Sequence, residues 1–121
     1  MIEIRNALLT DTPALIKLLL QAGYPDTTDF LRTRLVQLLL QPQTEVLVAT
    51  DPDGVLLGLL HVEVTSELTL PANECVIRLV AIADAAPFPQ TTVDALTAAG
   101  EAFARSKGCV RLTSIPRAVT R

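Results

Sequence analysis

One continuous stretch, from Glu74 to Lys107, limits most strongly what this chain can fold into. Residues 74–83 are nearly all apolar and rich in β-branched side chains, which predicts a strand that is buried on both faces. Residues 84–90 contain two prolines and predict a loop, because proline interrupts both sheet ladders and helices. The residues after this loop have a helical pattern, so the stretch predicts a strand, a loop and a helix.

Thr91 is predicted to cap this helix, since Asp94 follows it at the spacing of a capping box. Gly108 is predicted to end it. Small and apolar residues recur at helical spacing along one face of the segment: Val93, Leu96, Gly100 and Phe103. A strand that leads directly into a helix N-terminus is a common place for a bound phosphate, so this junction is the first candidate for a functional site.

The rest of the chain predicts five further elements before this unit and one after it. They are a strand at 2–6, a helix from Thr10 that Gly23 closes, a helix that opens around 27–29, strands at 45–50 and 55–64 joined by a turn at 51–54, and a last strand at 109–115. The order β-α-α-β-β-β-α-β predicts an α/β fold, a twisted mixed sheet with helices on both faces. Residues 1–121 are expected to form one domain, with 116–121 as a tail.

Composition argues against several classes of function. Aromatic residues make up 3% of the chain and the formal net charge is −3, which argues against a nucleic-acid-binding protein. The longest apolar run, 55–60, is far shorter than a membrane helix needs. Cys75 and Cys109 have no metal-site spacing, and the chain opens directly on a strand. We therefore expect a reduced, cytoplasmic protein without a metal.

Several short motifs occur in a characteristic order. They are Ile2-Glu3-Ile4-Arg5 ahead of a capped helix, Ala22-Gly23-Tyr24-Pro25 at the end of that helix, the hairpin 46–64, and the run 98–105. Together with the element order, they resemble the GNAT superfamily of acetyl-CoA-dependent N-acetyltransferases, over nearly the whole chain up to Ile115. The resemblance implies transfer of an acetyl group from acetyl-CoA to a small amine, a protein N-terminus or a lysine.

The resemblance also implies where acetyl-CoA would bind. In the family, the fourth strand lends backbone groups to the pantetheine arm, and the loop and helix N-terminus that follow hold the pyrophosphate. The positions that match these parts are Leu79, Val80, Ala81 and Ile82 on the strand, and Gln90, Thr91, Thr92 and Val93 at the start of the helix.

The remaining candidate residues each have a chemical and a structural explanation. Glu74 lies near the position where some family members place a general base, but it also fits a solvated carboxylate at a strand end. Tyr24 lies in the loop that lines the acceptor site in related proteins, or it packs its ring over a helix end. His61 fits a half-buried strand residue better than a base. Arg78 is expected to pair with Glu63 across the hairpin, or with an acidic ligand.

The sequence departs from the family at the pyrophosphate loop. Residues 87–93 contain no glycine, arginine or lysine, and the prolines have no N–H to donate. Asp94 is expected to place a negative charge in the first helical turn, which repels a pyrophosphate. We therefore expect acetyl-CoA to bind weakly or not at all. The alternative function is a non-catalytic GNAT-like domain that binds a partner or a second copy of itself.

Two structural expectations follow from the end of the chain. Cys75 and Cys109 should each begin a strand at the same end of the sheet, close together but reduced. The family continues beyond its fifth strand, whereas this sequence ends at Arg121. The strand 109–115 should then form an open edge with apolar side chains on both faces, which predicts a two-fold homodimer.

Overall fold

A computed structural model describes residues 1–66, 68–109 and 112–114. The helices and strands are β1 Glu3–Asn6, a 3₁₀ turn Leu9–Asp11, α1 Thr12–Gln21, α2 Leu31–Leu39, β2 Thr44–Thr50, β3 Leu56–Thr65, β4 Glu74–Ile82, α3 Pro89–Ser106 and β5 Leu112–Ser114. This order confirms the predicted one, with the 3₁₀ turn in addition. Among the described helices, none is long and apolar enough to cross a membrane.

The strands form one sheet in the order β1-β2-β3-β4-β5. The first three pairs are antiparallel, and β4 and β5 are parallel, as α3 between them predicts. Alternate residues of each strand face opposite sides of the sheet. On β2, Leu47 and Ala49 belong to the core beneath α3, whereas Val46 and Val48 belong to the core beneath α1 and α2. The predicted mixed sheet with helices on both faces is therefore confirmed.

The turn between β2 and β3 follows from its composition. The Asp51 carboxylate accepts hydrogen bonds from the backbone N–H groups of Asp53 and Val55, at 2.9 and 3.0 Å. Gly54 adopts a φ of +86°, which only glycine takes without strain. The hairpin predicted from this turn is confirmed.

Two glycines let α3 lie close on the sheet. A Cβ placed on Gly58 of β3 would stand 2.9 Å from Ile82 Cδ1 and 3.1 Å from Leu96 Cδ1. A Cβ on Gly100 of α3 would stand 2.9 Å from Leu60 Cδ2. Each missing side chain is therefore part of the contact between helix and sheet.

The starts of α2 and α3 differ from the predicted ones. α3 begins at Pro89, with Phe88 as its N-terminal cap and no side-chain capping bond, so the predicted cap at Thr91 is wrong. Proline suits this position because its missing N–H would have no intrahelical partner there. α2 begins at Leu31 rather than around 27–29, because the Asp26 carboxylate accepts the Thr28 N–H at 2.9 Å and holds that segment in a turn.

β4 is less buried than its apolar sequence predicts. Only Cys75 and Ala81 are buried, and the other residues of the strand are partly exposed. The described part of β5 pairs with residues 75–77 of β4 and no further. β4 contributes residues to the cores on both faces of the sheet, as predicted, but most of its side chains are only partly buried.

The last strand is described only in part. Cys109 precedes β5 instead of beginning it, and residues 110, 111 and 115–121, including the predicted tail, lie outside the described residues. Cys75 and Cys109 nevertheless pack in the same core beneath α3, and both are free. Their predicted proximity is confirmed.

Candidate functional site

β4 contains a β-bulge at Arg78. Val62 of β3 stands opposite Ile77, and the preceding residue, His61, stands opposite Leu79. β3 therefore has no residue opposite Arg78 in the strand register. Such an insertion bends the strand and redirects the side chains that follow it.

Beyond the bulge, one edge of β4 is open among the residues that the structure describes. On the side away from β3, the described part of β5 reaches only Cys75, Val76 and Ile77. The following segment, residues 79–82, has no neighbouring strand on that side within the part of the chain that the structure describes. Its outward backbone N–H and C=O groups form a row of hydrogen-bonding positions that suits the amide groups of an extended ligand. These are the four strand residues that the resemblance assigns to the pantetheine arm.

The N-terminus of α3 offers few donors beside this edge. Pro89 has no N–H, and the N–H of Thr92 donates to Phe88 O at 3.0 Å. The Thr92 side chain is fully buried, and its hydroxyl also donates to Phe88 O, at 3.1 Å. Gln90 and Thr91 are left as the first-turn residues whose N–H groups lack an intrahelical acceptor.

Asp94 lies farther from the helix start than the sequence predicts. Because α3 begins at Pro89, Asp94 falls beyond the first turn, which contains no acidic residue. Its carboxylate accepts a hydrogen bond from Gln90 Nε2 at 2.9 Å. The predicted negative charge in the first turn is therefore wrong, and the scarcity of donors is the feature that disfavours a pyrophosphate.

A basic side chain from another element lies near this junction, and the sequence of the loop gives no sign of it. Lys17 of α1 lines a cleft of about 340 Å³ together with Ala83 and Ala85, which directly follow β4. Gln21, one turn further along α1, accepts the Asp84 N–H at 3.4 Å. Only the folded arrangement brings α1 beside the loop.

Four polar residues gather on the α1/α2 side of the sheet, next to the bulge: Thr44 on β2, His61 and Glu63 on β3, and Arg78 on β4. We call them the polar cluster. Arg78 Nε donates to Glu63 Oε1 at 2.7 Å, which confirms the predicted pair. His61 Nε2 lies 2.9 Å from Thr44 Oγ1. The Thr44 hydroxyl also donates to the Val62 carbonyl, at 2.9 Å.

The environment of His61 favours the neutral imidazole. Burial lowers the pKa of His61, because desolvation disfavours the charged ring. The positive charge of Arg78 acts in the same direction, and the negative charge of Glu63 opposes it. The sequence-based expectation of a half-buried, hydrogen-bonded histidine is thus confirmed.

His61 also lines a small apolar cavity between α1, α2 and the sheet. The cavity measures about 60 Å³, and its other walls are aliphatic: Leu15, Leu19, Leu31, Leu35, Leu38, Val46, Leu59 and Leu79. At this volume the cavity is much smaller than a small-molecule site, which typically measures about 300–1,000 Å³. This cavity reaches Leu79, the first residue of the open edge.

Comparison with known proteins finds similarity at the level of structure. No protein-family model matches the chain, and no curated protein matches it either. A GNAT family acetyltransferase of Staphylococcus aureus superposes with a TM-score of 0.83 at 20% identity, covering 96% of this chain and 87% of that one. The chain has the GNAT fold. This finding agrees with the resemblance inferred from the sequence.

Other structures with the GNAT fold include antibiotic-modifying enzymes. The aminoglycoside 6′-N-acetyltransferase AAC(6′)-Ih of Acinetobacter baumannii has a TM-score of 0.82 at 15% identity, covering 98% of this chain and 81% of that one. AAC(6′)-Iy, solved in complex with the bisubstrate analog CoA-S-monomethyl-acetylneamine, has a TM-score of 0.77 at 18% identity, with coverage of 98% and 81%.

Within the GNAT fold, Glu74 lies apart from the open edge. Glu74 opens β4 opposite Thr65, five residues before Leu79, or about 16 Å along an extended strand. Tyr24 is partly buried against the core beneath α1 and α2, which agrees with a packing role. The chemical roles assigned to both residues stay predictions. Among the described residues, no cluster of His, Cys, Asp and Glu is suited to a metal ion.

Proposed function

We propose that this protein is an acyltransferase that moves an acetyl group from acetyl-CoA to an amine. The open edge of β4 after the bulge is the observation that carries this proposal. There, residues 79–82 would hold the pantetheine arm through backbone hydrogen bonds, as an added strand is held at a sheet edge. When bound, acetyl-CoA supplies the activated acetyl group.

The protein's own part in this reaction is to bind, to orient and to accept a proton. The GNAT fold and the complex of AAC(6′)-Iy with a CoA-based bisubstrate analog support the choice of cofactor. An acceptor amine is protonated near neutral pH and must lose a proton before it can attack a carbonyl carbon. A base that the amine can reach is therefore required. The resemblance offers Glu74 for that role, about 16 Å along β4 from Leu79.

Cofactor affinity is expected to come from the strand rather than from α3. The first turn of α3 contributes the N–H groups of Gln90 and Thr91, and residues 83–93 contain no arginine or lysine. Each missing hydrogen bond to a charged group removes about 1–3 kcal/mol, or roughly one to two powers of ten in affinity. We propose weak binding of acetyl-CoA, with little contribution from its nucleotide.

Calorimetry with acetyl-CoA and with S-acetylpantetheine, which lacks the pyrophosphate and nucleotide, tests this division. We expect dissociation constants above about 100 μM for both compounds, within roughly tenfold of each other. A micromolar constant for acetyl-CoA alone would contradict it.

Thiol release, measured with small amines, a peptide N-terminus and a lysine peptide as acceptors, tests the transfer itself. No release with any of these acceptors would overturn the enzymatic proposal.

The second candidate is a non-catalytic GNAT-fold domain that binds a partner or a second copy of itself. The scarcity of donors at the N-terminus of α3 favours it, since a domain that has no cofactor needs no pyrophosphate site. Amide chemical shifts separate the two functions. Titration of acetyl-CoA to 5 mM should move the signals of residues 79–82 if the strand binds the cofactor, and should leave them unchanged in a non-catalytic domain.

A further inference from the structure

We infer that His61 is the general base that removes a proton from the acceptor amine, with Nδ1 as the accepting atom. This inference rests on the proposed function and names a catalytic residue for it. It rests on the geometry of the polar cluster around the ring of His61. The family resemblance assigns a role in the reaction to none of the four residues of the cluster.

The hydrogen bonds around Thr44 fix the tautomer of His61. A threonine hydroxyl has one proton, and the Thr44 hydroxyl donates it to the Val62 carbonyl, which can only accept. Thr44 Oγ1 must therefore accept the hydrogen bond at 2.9 Å from His61, so Nε2 carries the proton. In the neutral ring, Nδ1 is then left with the lone pair, and it is the basic atom.

The surroundings keep this lone pair available near neutral pH. The charged groups near the ring are Glu63 on its own strand and Arg78 on β4, which are bound to each other. The contacts from α1 and α2 around the cavity are leucines. Because Arg78 pairs with Glu63, the carboxylate is held by the guanidinium rather than by the imidazole.

His61 also lies closer to the open edge than Glu74 does. It stands opposite Leu79, the first residue of that edge, and such partners in an antiparallel pair have Cα atoms about 5 Å apart. Glu74 is five residues further back along β4. Position in the sheet therefore favours the histidine.

The proposed step balances in atoms and charge. The amine nitrogen forms a bond to the acyl carbon as the bond from that carbon to sulfur breaks. Before this attack, the ammonium gives one proton to His61 Nδ1, which releases it to solvent. A second proton leaves the nitrogen as the amide forms and passes through His61 Nδ1 to the departing thiolate, so each turnover of a protonated amine releases one proton. No oxidant, reductant or metal takes part.

Imidazole ¹⁵N NMR on the free protein tests the geometry without any cofactor. We expect Nε2 to be protonated and Nδ1 to be bare at pH 7.5 in the wild type. Thr44→Val leaves the ring in place but removes the acceptor, so the protonated fraction should redistribute toward Nδ1. Thr44→Ser is the matched control and should keep the wild-type tautomer. Protonated Nδ1 in the neutral wild-type ring would overturn the inference.

The pH dependence of acetyl transfer tests the role. For the wild type, kcat/KM should rise with pH through the pKa of His61 that NMR measures. His61→Gln should lower kcat/KM about 100-fold or more and remove that inflection. Thr44→Val should lower it about tenfold, and Thr44→Ser should restore it. If His61→Gln does not fold, the two Thr44 variants, in which His61 is retained, decide the question.

The failures of the two proposals are distinguishable. A wild type that transfers acetyl to none of the amines overturns the proposed function, and the base with it. An active wild type whose pH profile survives His61→Gln overturns only the assignment of the base.

Discussion

The guanidinium of Arg5 and the carboxylate of Asp11 form a two-point contact that joins β1 to the start of α1. Arg5 Nη1 donates to Oδ2 at 2.8 Å, and Nη2 donates to Oδ1 at 2.9 Å. The backbone N–H of Leu8 donates to the same carboxylate at 2.7 Å. Asp11 thus fixes the turn through which the chain leaves the edge strand and enters its first helix.

Asp11→Asn is expected to destabilise the protein by about 1 kcal/mol at pH 7, a reduced value because the Arg5 side chain is about one-third exposed. The hydrogen bond from Arg5, assisted by that of Leu8, lowers the pKa of Asp11 below its ordinary value of 3.8. A lowered folded-state pKa gives stability that is present above pH 3.8 and is lost as the pH falls through the folded value.

Urea unfolding at pH 7 and pH 2.5 measures this effect. The difference between wild type and Asp11→Asn should shrink at the lower pH. Asp29→Asn, at an exposed position, is the matched control and should change stability by less than about 0.5 kcal/mol. An equal loss for both variants at pH 7 would contradict the role given to Asp11.

Gly58→Ala is expected to destabilise the protein by about 1–3 kcal/mol, because the new methyl group would overlap Ile82 and the side chains of α3. Gly100→Ala introduces a comparable overlap with Leu60, but alanine favours a helix over glycine by about 1 kcal/mol. The helical variant should therefore lose less. Thermal and urea unfolding of the two variants compare them directly, and a larger loss for Gly100→Ala would refute the explanation.

Cys75 is expected to resist alkylation in the folded protein. Burial, with a smaller contribution from Cys109, raises the pKa of the Cys75 thiol to about 11, so only about one thiol in a thousand is ionised at pH 8. Cys109 is partly exposed and should react first with iodoacetamide, as peptide mass spectrometry can follow. Preferential labelling of Cys75 without unfolding would show that the two thiols are packed differently.

Among the described residues, no strand pairs with β5 on the side away from β4, and this edge is expected to support a homodimer. Light scattering coupled to size exclusion should give twice the chain mass at high micromolar concentration. Thr113→Lys is a better probe than Leu112→Lys, since Thr113 is exposed whereas Leu112 packs against the core beneath α3. It should yield a folded monomer, because edge lysines oppose strand pairing. Thr69→Lys, in an exposed loop, should leave the dimer intact, and a monomeric wild type would end the hypothesis.

The elements were predictable from sequence where the signal is local. The apolar run of β4 and the helical spacing of α3 each lie within one segment, and the structure contains both. The sequence does not locate the start of α3, because proline fits either a loop or the first position of a helix. The bulge at Arg78 depends on how β3 and β4 pair, which neither strand reveals alone.

The polar cluster was predictable only in part. The pairing of Arg78 with Glu63 followed from opposite charges on neighbouring strands. The contact of His61 with Thr44 joins residues 17 positions apart on different strands, and it requires the register of β2 against β3. The tautomer of His61 depends on a third group, the backbone carbonyl of Val62. Every residue has a backbone carbonyl, so no sequence motif reveals this one.

Arg78, the extra residue at the bulge, shifts by one position which residues of β4 face each side of the sheet. Ile77 and Val80 both face α3, although two intervening residues would normally place them on opposite sides of a strand. Deleting Arg78 would thus preserve the inward and outward positions of Leu79 to Ile82 and leave a plain, unbent strand. Both hydrophobic cores could be assembled without this residue, whereas the bend in β4 depends on it.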